Sequence, residues 1–126
     1  FRMSQFLSEE WFAEATATLA ALPSTGNASA VLQYAIAGGP DGKVTCHAVI
    51  EGGVVTGIAP GKADSPDVVA TLTFDEALAV LSGAHSTDAS FMRGAVKIEG
   101  DHVAWLLELR DVREAAFAAL APITNA

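Results

Sequence analysis

The chain has little of what catalytic, metal-binding and nucleic-acid-binding proteins commonly require. Its 126 residues include one cysteine, three histidines and seven basic against fifteen acidic residues, which gives a net charge of −8. Duplex nucleic acid and anionic membrane surfaces both favour clusters of Lys and Arg, so we expect no nucleic-acid partner. No apolar run approaches the roughly 20 residues that a membrane-spanning helix needs, so we expect no stable membrane insertion.

The single cysteine, Cys46, excludes an intrachain disulfide and a multi-cysteine metal site. A lone thiol is typical of a reducing compartment, and the first residues lack the basic and apolar regions of a signal peptide, so we expect a cytoplasmic protein. We expect Phe1 and Arg2 to be vector residues and residues 3–126 to form a single domain.

No motif gathers catalytic or cofactor-binding residues. Glycine pairs at 38–39 and 52–53 lie at predicted hairpin turns, whereas a phosphate-binding loop lies between a strand and a helix. His47, His85 and His102 lack the i, i+4 spacing of a helical zinc site, which favours solvated histidines over metal ligands. We therefore expect no catalytic residue, no metal and no cofactor.

What the chain does have is apolar patterning, since 51% of its residues are hydrophobic and only 7% are aromatic. Ser8 before Glu9 and Glu10 predicts the start of a helix that ends at Pro23. We expect one of Trp11 and Phe12 to lie in the core and the other to be partly exposed.

After residue 30 the apolar period changes from helical to two, which predicts three strands joined by short turns, an antiparallel meander. A fourth strand precedes a helix with a Thr73–Glu76 capping box, and Ser86 or Thr87 caps a short helix. A fifth strand is followed by a helix capped by Asp101, and a last helix covers Asp111–Leu120. The predicted fold class is α+β, with a five-stranded, mostly antiparallel sheet and helices covering one face.

The second half of the chain resembles the sterol carrier protein 2 family, as a small stand-alone bacterial-type member. The matching segments are Asp67–Leu72, the helix Phe74–Ser82 with Leu81-Ser82-Gly83, Ala89–Gly94 and Ala95–Asp101. The resemblance implies a twisted sheet whose helices enclose an apolar tunnel for a fatty acyl group, an acyl-CoA or a sterol-like molecule. It also implies a lipid-binding domain without catalytic residues.

Ten residues are predicted ligand contacts, because apolar side chains exclude water from a lipid tail and Met adapts to irregular shapes. Each could instead simply pack in the core. Arg93 could pair with a ligand carboxylate at the tunnel mouth, or be a solvated or structurally paired side chain. Val103, Leu106 and Leu107 form the predicted apolar stripe of the helix after Asp101. Trp105 falls off this stripe, so we expect it at a rim or between helices. The ten are Leu78, Leu81, Phe91, Met92, Arg93, Val96, Ile98, Val103, Leu106 and Leu107.

The leading hypothesis is non-enzymatic binding or transfer of a lipid or another apolar small molecule. An alternative is an interaction or dimerisation module with the same fold and no open cavity, because small residues in the Ala-rich tail permit close helix packing. A possible homodimer belongs to this alternative. A third hypothesis is a small enzyme that uses His102 or Asp101 as a base.

Overall fold

The computed structural model describes residues 4–40 and 42–125. The expected vector residues Phe1 and Arg2, and Asp41 of the predicted turn at residues 38–42, lie outside the described residues. The strands are β1 (Ser4–Gln5), β2 (Ala30–Gly39), β3 (Gly42–Glu51), β4 (Val54–Pro60), β5 (Val68–Thr73), β6 (Lys97–Gly100) and β7 (Thr124–Asn125).

Strands β2 to β6 form one sheet in the order β4-β3-β2-β5-β6. The β2–β5 pair is parallel, whereas β2–β3, β3–β4 and β5–β6 are antiparallel. The predicted α+β class and mostly antiparallel five-stranded sheet are therefore confirmed. The turn between β3 and β4 requires positive φ at Gly52 and Gly53, +57° and +78°, as expected for a glycine hairpin.

Three of the four α-helices begin at predicted start signals. Ser8 Oγ accepts from the Trp11 amide, Thr73 Oγ1 from the Glu76 amide and Ser86 Oγ from the Ala89 amide. Each bond satisfies one of the free amides of a first helical turn. The helices are α1 (Glu9–Ala20), α2 (Phe74–Leu81), α3 (Thr87–Met92) and α4 (Arg110–Leu120), with a π-helical segment at Ala104–Glu108 and a 3-10 turn at Ala121–Ile123.

One face of the sheet is apolar, and it carries the core. Residues paired across strands lie on the same face, so the pairing of Tyr34 with both Cys46 and Ala70 places all three on one row. Leu32, paired with Ala48 and Val68, heads the next row. Helices α1, α2 and α4 contact this sheet through its central and β4 strands.

One expectation about aromatic residues is wrong, and another is narrowed. Trp11 and Phe12 are both buried, at 2% and 5% exposure, because Trp11 packs edge-on against Phe6 and Phe12 and helix α1 lies on strand β4. Trp105 is 1% exposed, which excludes the rim position and leaves the expected alternative of a position between helices.

The predicted apolar stripe after Asp101 is also wrong in its orientation. Val103 and Leu107 are 58% and 68% exposed, whereas Trp105 and Leu109 are fully buried. Asp101 caps the segment as expected, through the Ala104 amide, but the segment is π-helical. A π-helix bonds i to i+5, so the side-chain positions rotate relative to an α-helix.

A short parallel pair, β1 with β7, was not predicted from the sequence. It joins the two ends of the described chain beside α1, where Trp11 Nε1 donates to Thr124 Oγ1 at 2.9 Å. Strands of two residues carry too little periodicity to detect in a sequence.

Candidate functional site

An apolar cavity of about 70 Å³ lies between the inner face of the sheet and helices α1, α2 and α4. The sheet contributes side chains from β2 to β5, and α2 and α4 supply the opposite wall. The lining residues are Phe6, Leu7, Trp11, Tyr34, Ile36, Cys46, Ile58, Leu72, Ala77, Val80, Leu81, Phe117 and Leu120.

A second space of about 40 Å³ lies farther along the same layer, under α4. Tyr34, Ile58, Phe117 and Leu120 line both spaces, so the two adjoin. Small side chains on the sheet, such as Ala48, leave this room beneath the helices. The apolar layer is therefore incompletely filled along a line that runs from α2 to the middle of α4.

Two surface clefts border the 70 Å³ cavity beside α2. One, of about 410 Å³, lies between α2 and the chain end near Ala121 and Thr124. The other, of about 290 Å³, lies between α2, the α2–α3 turn and α4. Leu81 lines the cavity and both clefts, so this one side chain separates the interior from solvent on two sides.

The smaller space is bordered by a buried charge. Arg113, on α4, is 2% exposed and its Nε donates to the Trp105 carbonyl at 2.9 Å. The guanidinium carbon lies 4.4 Å from the centroid of the Trp105 ring, in a cation–π arrangement. Its Nη1 and Nη2 are buried and make no hydrogen bond among the described residues.

Two other polar groups face the apolar layer. Burial raises the pKa of the Tyr34 phenol well above its ordinary value, although the charge of Arg113 opposes part of that rise. Burial also raises the pKa of the Cys46 thiol to about 12. Cys46 is thus a small buried apolar side chain and not a nucleophile at neutral pH.

The ten predicted ligand contacts are distributed over three environments. Leu81 lines the cavity, and Leu78 lies with it along the larger cleft. Val96 and Ile98 are buried in the core, and Phe91 and Leu106 pack partly buried against it. The remaining four, Met92, Arg93, Val103 and Leu107, are exposed, with Met92 at 84%. Contact of any of these ten residues with a ligand stays a prediction.

Arg93 belongs to a surface charge cluster that joins α2 to α3. The Glu76 carboxylate accepts from Ser90 Oγ, from Arg93 Nη2 at 3.2 Å and faces His85 Nδ1 at 3.0 Å. The Ser90 hydrogen bond is the main reason that the pKa of Glu76 lies below its usual value. Arg93 is therefore structurally paired, and His85, whose side chain is 43% exposed, lies beside the same carboxylate at the surface, as expected of a solvated histidine.

The other histidines make ordinary contacts. His47 Nδ1 donates to the Gly61 carbonyl at 2.9 Å, and His102 Nδ1 donates to the Gly100 carbonyl at 3.0 Å. Within residues 4–40 and 42–125, no cluster of His, Cys, Asp and Glu is arranged to bind a metal. No helix in the same ranges is long and apolar enough to cross a membrane.

Leu81 is the one predicted contact that lines the cavity among the described residues, because most of the other lining residues lie before Leu78 or after Leu107, outside the segment that held the predicted contacts. A detectable signal was present at the end of the chain, where apolar residues recur at i, i+4, i+7, i+11 and i+15 with Arg113 among them. A charged residue inside such a stripe indicates a buried polar site. The stripe comprises Trp105, Leu109, Val112, Ala116 and Leu120.

Solved structures of other proteins share this fold. Their sequence identities to this chain, 16–18%, support a comparison of fold only. A crystal structure of sterol carrier protein 2 superposes with a TM-score of 0.78 at 16% identity, over 94% of this chain and 98% of that chain. A possible sterol carrier protein from Thermus thermophilus gives 0.68 at 17% identity, over 99% and 96%. A palmitated sterol carrier protein 2-like 2 from Aedes aegypti gives 0.66 at 18% identity, over 84% and 95%.

Comparison with curated proteins found no significant match. The family model of the SCP-2 sterol transfer family, in contrast, matches residues 9–107. That family binds and transfers lipids and is in general a non-enzymatic carrier fold, and the match spans the whole five-stranded sheet together with α1, α2 and α3. The chain therefore belongs to the SCP-2 sterol transfer family.

Proposed function

We propose that this protein is a non-enzymatic carrier that binds one apolar lipid tail between the sheet and helices α2 and α4. The observation that carries the proposal is the apolar cavity of about 70 Å³, which adjoins a second space and borders two clefts at Leu81. Such a cavity excludes water from a hydrocarbon chain, and it offers no acid–base pair for catalysis.

The cavity must enlarge to hold a lipid. An apolar cavity of about 150 Å³ holds a molecule the size of benzene, so 70 Å³ is too small for a long acyl chain. The two clefts beside α2 supply the missing room if the Leu81 and Phe117 side chains move aside. We therefore expect α2 to shift relative to α4 when ligand enters.

Calorimetric titration with palmitate tests the proposal, and this ligand is chosen because the solved Aedes aegypti relative is palmitated. Saturable binding at one site is expected, together with a rise in melting temperature that grows with ligand concentration. The variant Ala77→Phe places a ring in the cavity and should weaken binding by about tenfold or more.

The matched control is Ala17→Phe, the same substitution at an exposed position of α1. It should leave the affinity for palmitate unchanged. Equal weakening by both variants, or no saturable binding of palmitate, acyl-CoA or sterol to the wild-type protein, would contradict the proposal.

A second candidate function is self-association through the surface where α3 meets the π-helical segment. Met92, Val103 and Leu107 are exposed apolar side chains, and the ring of Phe91 lies 6.3 Å from that of His102 across the junction. Analytical ultracentrifugation that shows a strict monomer at high protein concentration would remove this candidate.

A further inference from the structure

Arg113 is a buried cation whose hydrogen-bonding capacity is largely unused. One of its nitrogens, Nε, donates to the Trp105 carbonyl, but Nη1 and Nη2 have no partner among the described residues. Folded proteins rarely bury donors in this way, because each unsatisfied group loses its hydration without a replacement. An unsatisfied charge of this kind calls for a physical reason.

The nearest carboxylate does not provide that reason. Asp88 Oδ1 lies 3.9 Å from Arg113 Nη2, which is too far for a hydrogen bond. The other oxygen, Oδ2, is held by Arg110 Nη2 at 2.6 Å. Asp88 is therefore an ion-pair neighbour of Arg113 without a hydrogen bond to it, and the hydrogen-bonding capacity of the two terminal nitrogens stays unused among the described residues.

The Arg113 side chain lines the space of about 40 Å³ under α4, and its two terminal nitrogens, which are closed off from that space in the unbound protein, become accessible if a ligand pushes into it. A space of about 10–15 Å³ is enough for one water, so this one accommodates a few atoms of a small polar group. Tyr34 and Phe117 line both this space and the larger cavity. A group at Arg113 can therefore continue into an apolar chain directed towards α2.

We propose that Arg113 binds the carboxylate head group of an acidic lipid whose chain occupies the larger cavity. The planar guanidinium suits a carboxylate, with which it forms two parallel hydrogen bonds. This inference rests on the proposed function and narrows its ligand class to acidic lipids over neutral ones such as sterols. It also places the charged end of the ligand inside the protein, away from Arg93, which is paired with Glu76.

The electrostatics around Arg113 fit this role. Burial lowers the pKa of its guanidinium, and the nearby Tyr34, Asp88 and Glu114 only partly offset that effect. An arginine nevertheless remains charged at neutral pH. The unbound protein thus holds an incompletely compensated positive charge, which an entering anion would neutralise.

Paired titrations with dodecanoate and 1-dodecanol, which share a chain and differ in the charged head, test the inference. The wild-type protein should bind the acid more tightly than the alcohol. Arg113→Met should weaken dodecanoate about tenfold or more and change dodecanol by less than about threefold, as expected for loss of a charge-assisted hydrogen bond. Lys97→Met, which removes an exposed charge from β6, should change neither affinity.

A measurement on the wild-type protein keeps the inference testable if Arg113→Met does not fold. The ¹³C signal of carboxyl-labelled dodecanoate should titrate below its free-solution pKa when bound, because the guanidinium favours the ionised form. Equal affinities for acid and alcohol, or a bound carboxyl that titrates at or above its solution value, would overturn the role of Arg113 and leave the proposed function intact. Failure of both ligands to bind would overturn the proposed function itself.

Discussion

The helix layer has two parts that pack on the same sheet face in different ways. Helix α1 presents only apolar residues to the interior, Trp11, Phe12, Ala15 and Leu19, and its Thr16 hydroxyl bonds to Ile58 of β4. Helix α4 presents apolar residues and one unsatisfied cation, Arg113, and both internal spaces lie along it. Both helices border the internal spaces, α1 through Trp11 and Leu19, but among the described residues only α4 places an unsatisfied cation beside them.

The difference indicates a division of roles within one layer. Close packing with satisfied polar groups gives stability, whereas cavities and buried donors without partners cost stability and are retained in proteins mainly at functional sites. Under the proposed function, we therefore expect the α1 side to contribute mainly to stability and the α2–α4 side to bind the ligand. Four substitutions test this division, and their expected effects on stability decrease in order.

The largest loss of stability is expected for Trp11→Ala on the α1 side. The change removes a ring that is 2% exposed and packs edge-on against Phe6 and Phe12, and it also breaks the hydrogen bond to Thr124. Urea denaturation should show a fall of about 3–5 kcal/mol in the free energy of unfolding. Trp11→Phe, which keeps a ring, should lose less, and equal losses would show that ring packing contributes little.

Leu109→Ala should destabilise the α4 side by about 2–5 kcal/mol, because Leu109 is completely buried. Leu107→Ala, two residues earlier and 68% exposed, should change stability by no more than about 0.5 kcal/mol. Urea denaturation of the two variants compares their free energies of unfolding and so shows which side of the π-helical segment faces the core. A larger loss of stability for Leu107→Ala than for Leu109→Ala would show that Leu107 faces the core, as the sequence predicted.

Glu76→Gln should weaken the α2–α3 junction, which borders the cleft beside α4, by about 1–2 kcal/mol at neutral pH. The pKa of Glu76 is lowered by folding, first through the Ser90 hydrogen bond. Its contribution is therefore complete above its ordinary pKa of 4.5 and is lost as the pH falls through the lower folded value. Denaturation at neutral pH and at about pH 3 should show the gap between variant and wild type closing in acid. A gap that persists at low pH would contradict this origin.

Arg113→Met should have the smallest effect on stability, within about 1 kcal/mol, although it replaces a buried side chain. A hydrophobic residue of similar length removes the cost of an unsatisfied charge, which offsets the lost bond to the Trp105 carbonyl. Urea denaturation checks this value, with Lys97→Met as the surface control. A loss of about 3–5 kcal/mol would mean that Arg113 is a structural residue of the core.

Much of the fold was predictable from local signals in the sequence. Ser8, Thr73 and Ser86 marked helix starts, and Gly52–Gly53 marked a hairpin, because each acts within a few residues. The parallel pairing of β2 with β5 and the pairing of β1 with β7 depend on residues far apart in the chain, which periodicity does not report.

The candidate site was less predictable than the fold. A cavity is the space left between elements, so its lining depends on how α2 and α4 sit over the sheet. The predicted stripe of Val103, Leu106 and Leu107 had α-helical spacing, whereas the spacing of Trp105, Leu109 and Arg113 marked the buried face. The unsatisfied nitrogens of Arg113 could only be recognised once its neighbours were known.

The most direct test of the central claim is to locate a bound acyl chain by NMR, with methyl-labelled protein and dodecanoate. Intermolecular NOEs are expected from the chain to Ile36, Ile58 and Leu120, which line the cavity. Contacts confined to Val103 and Leu107 on the surface, or saturable binding without contact to any of the three cavity residues, would contradict the account.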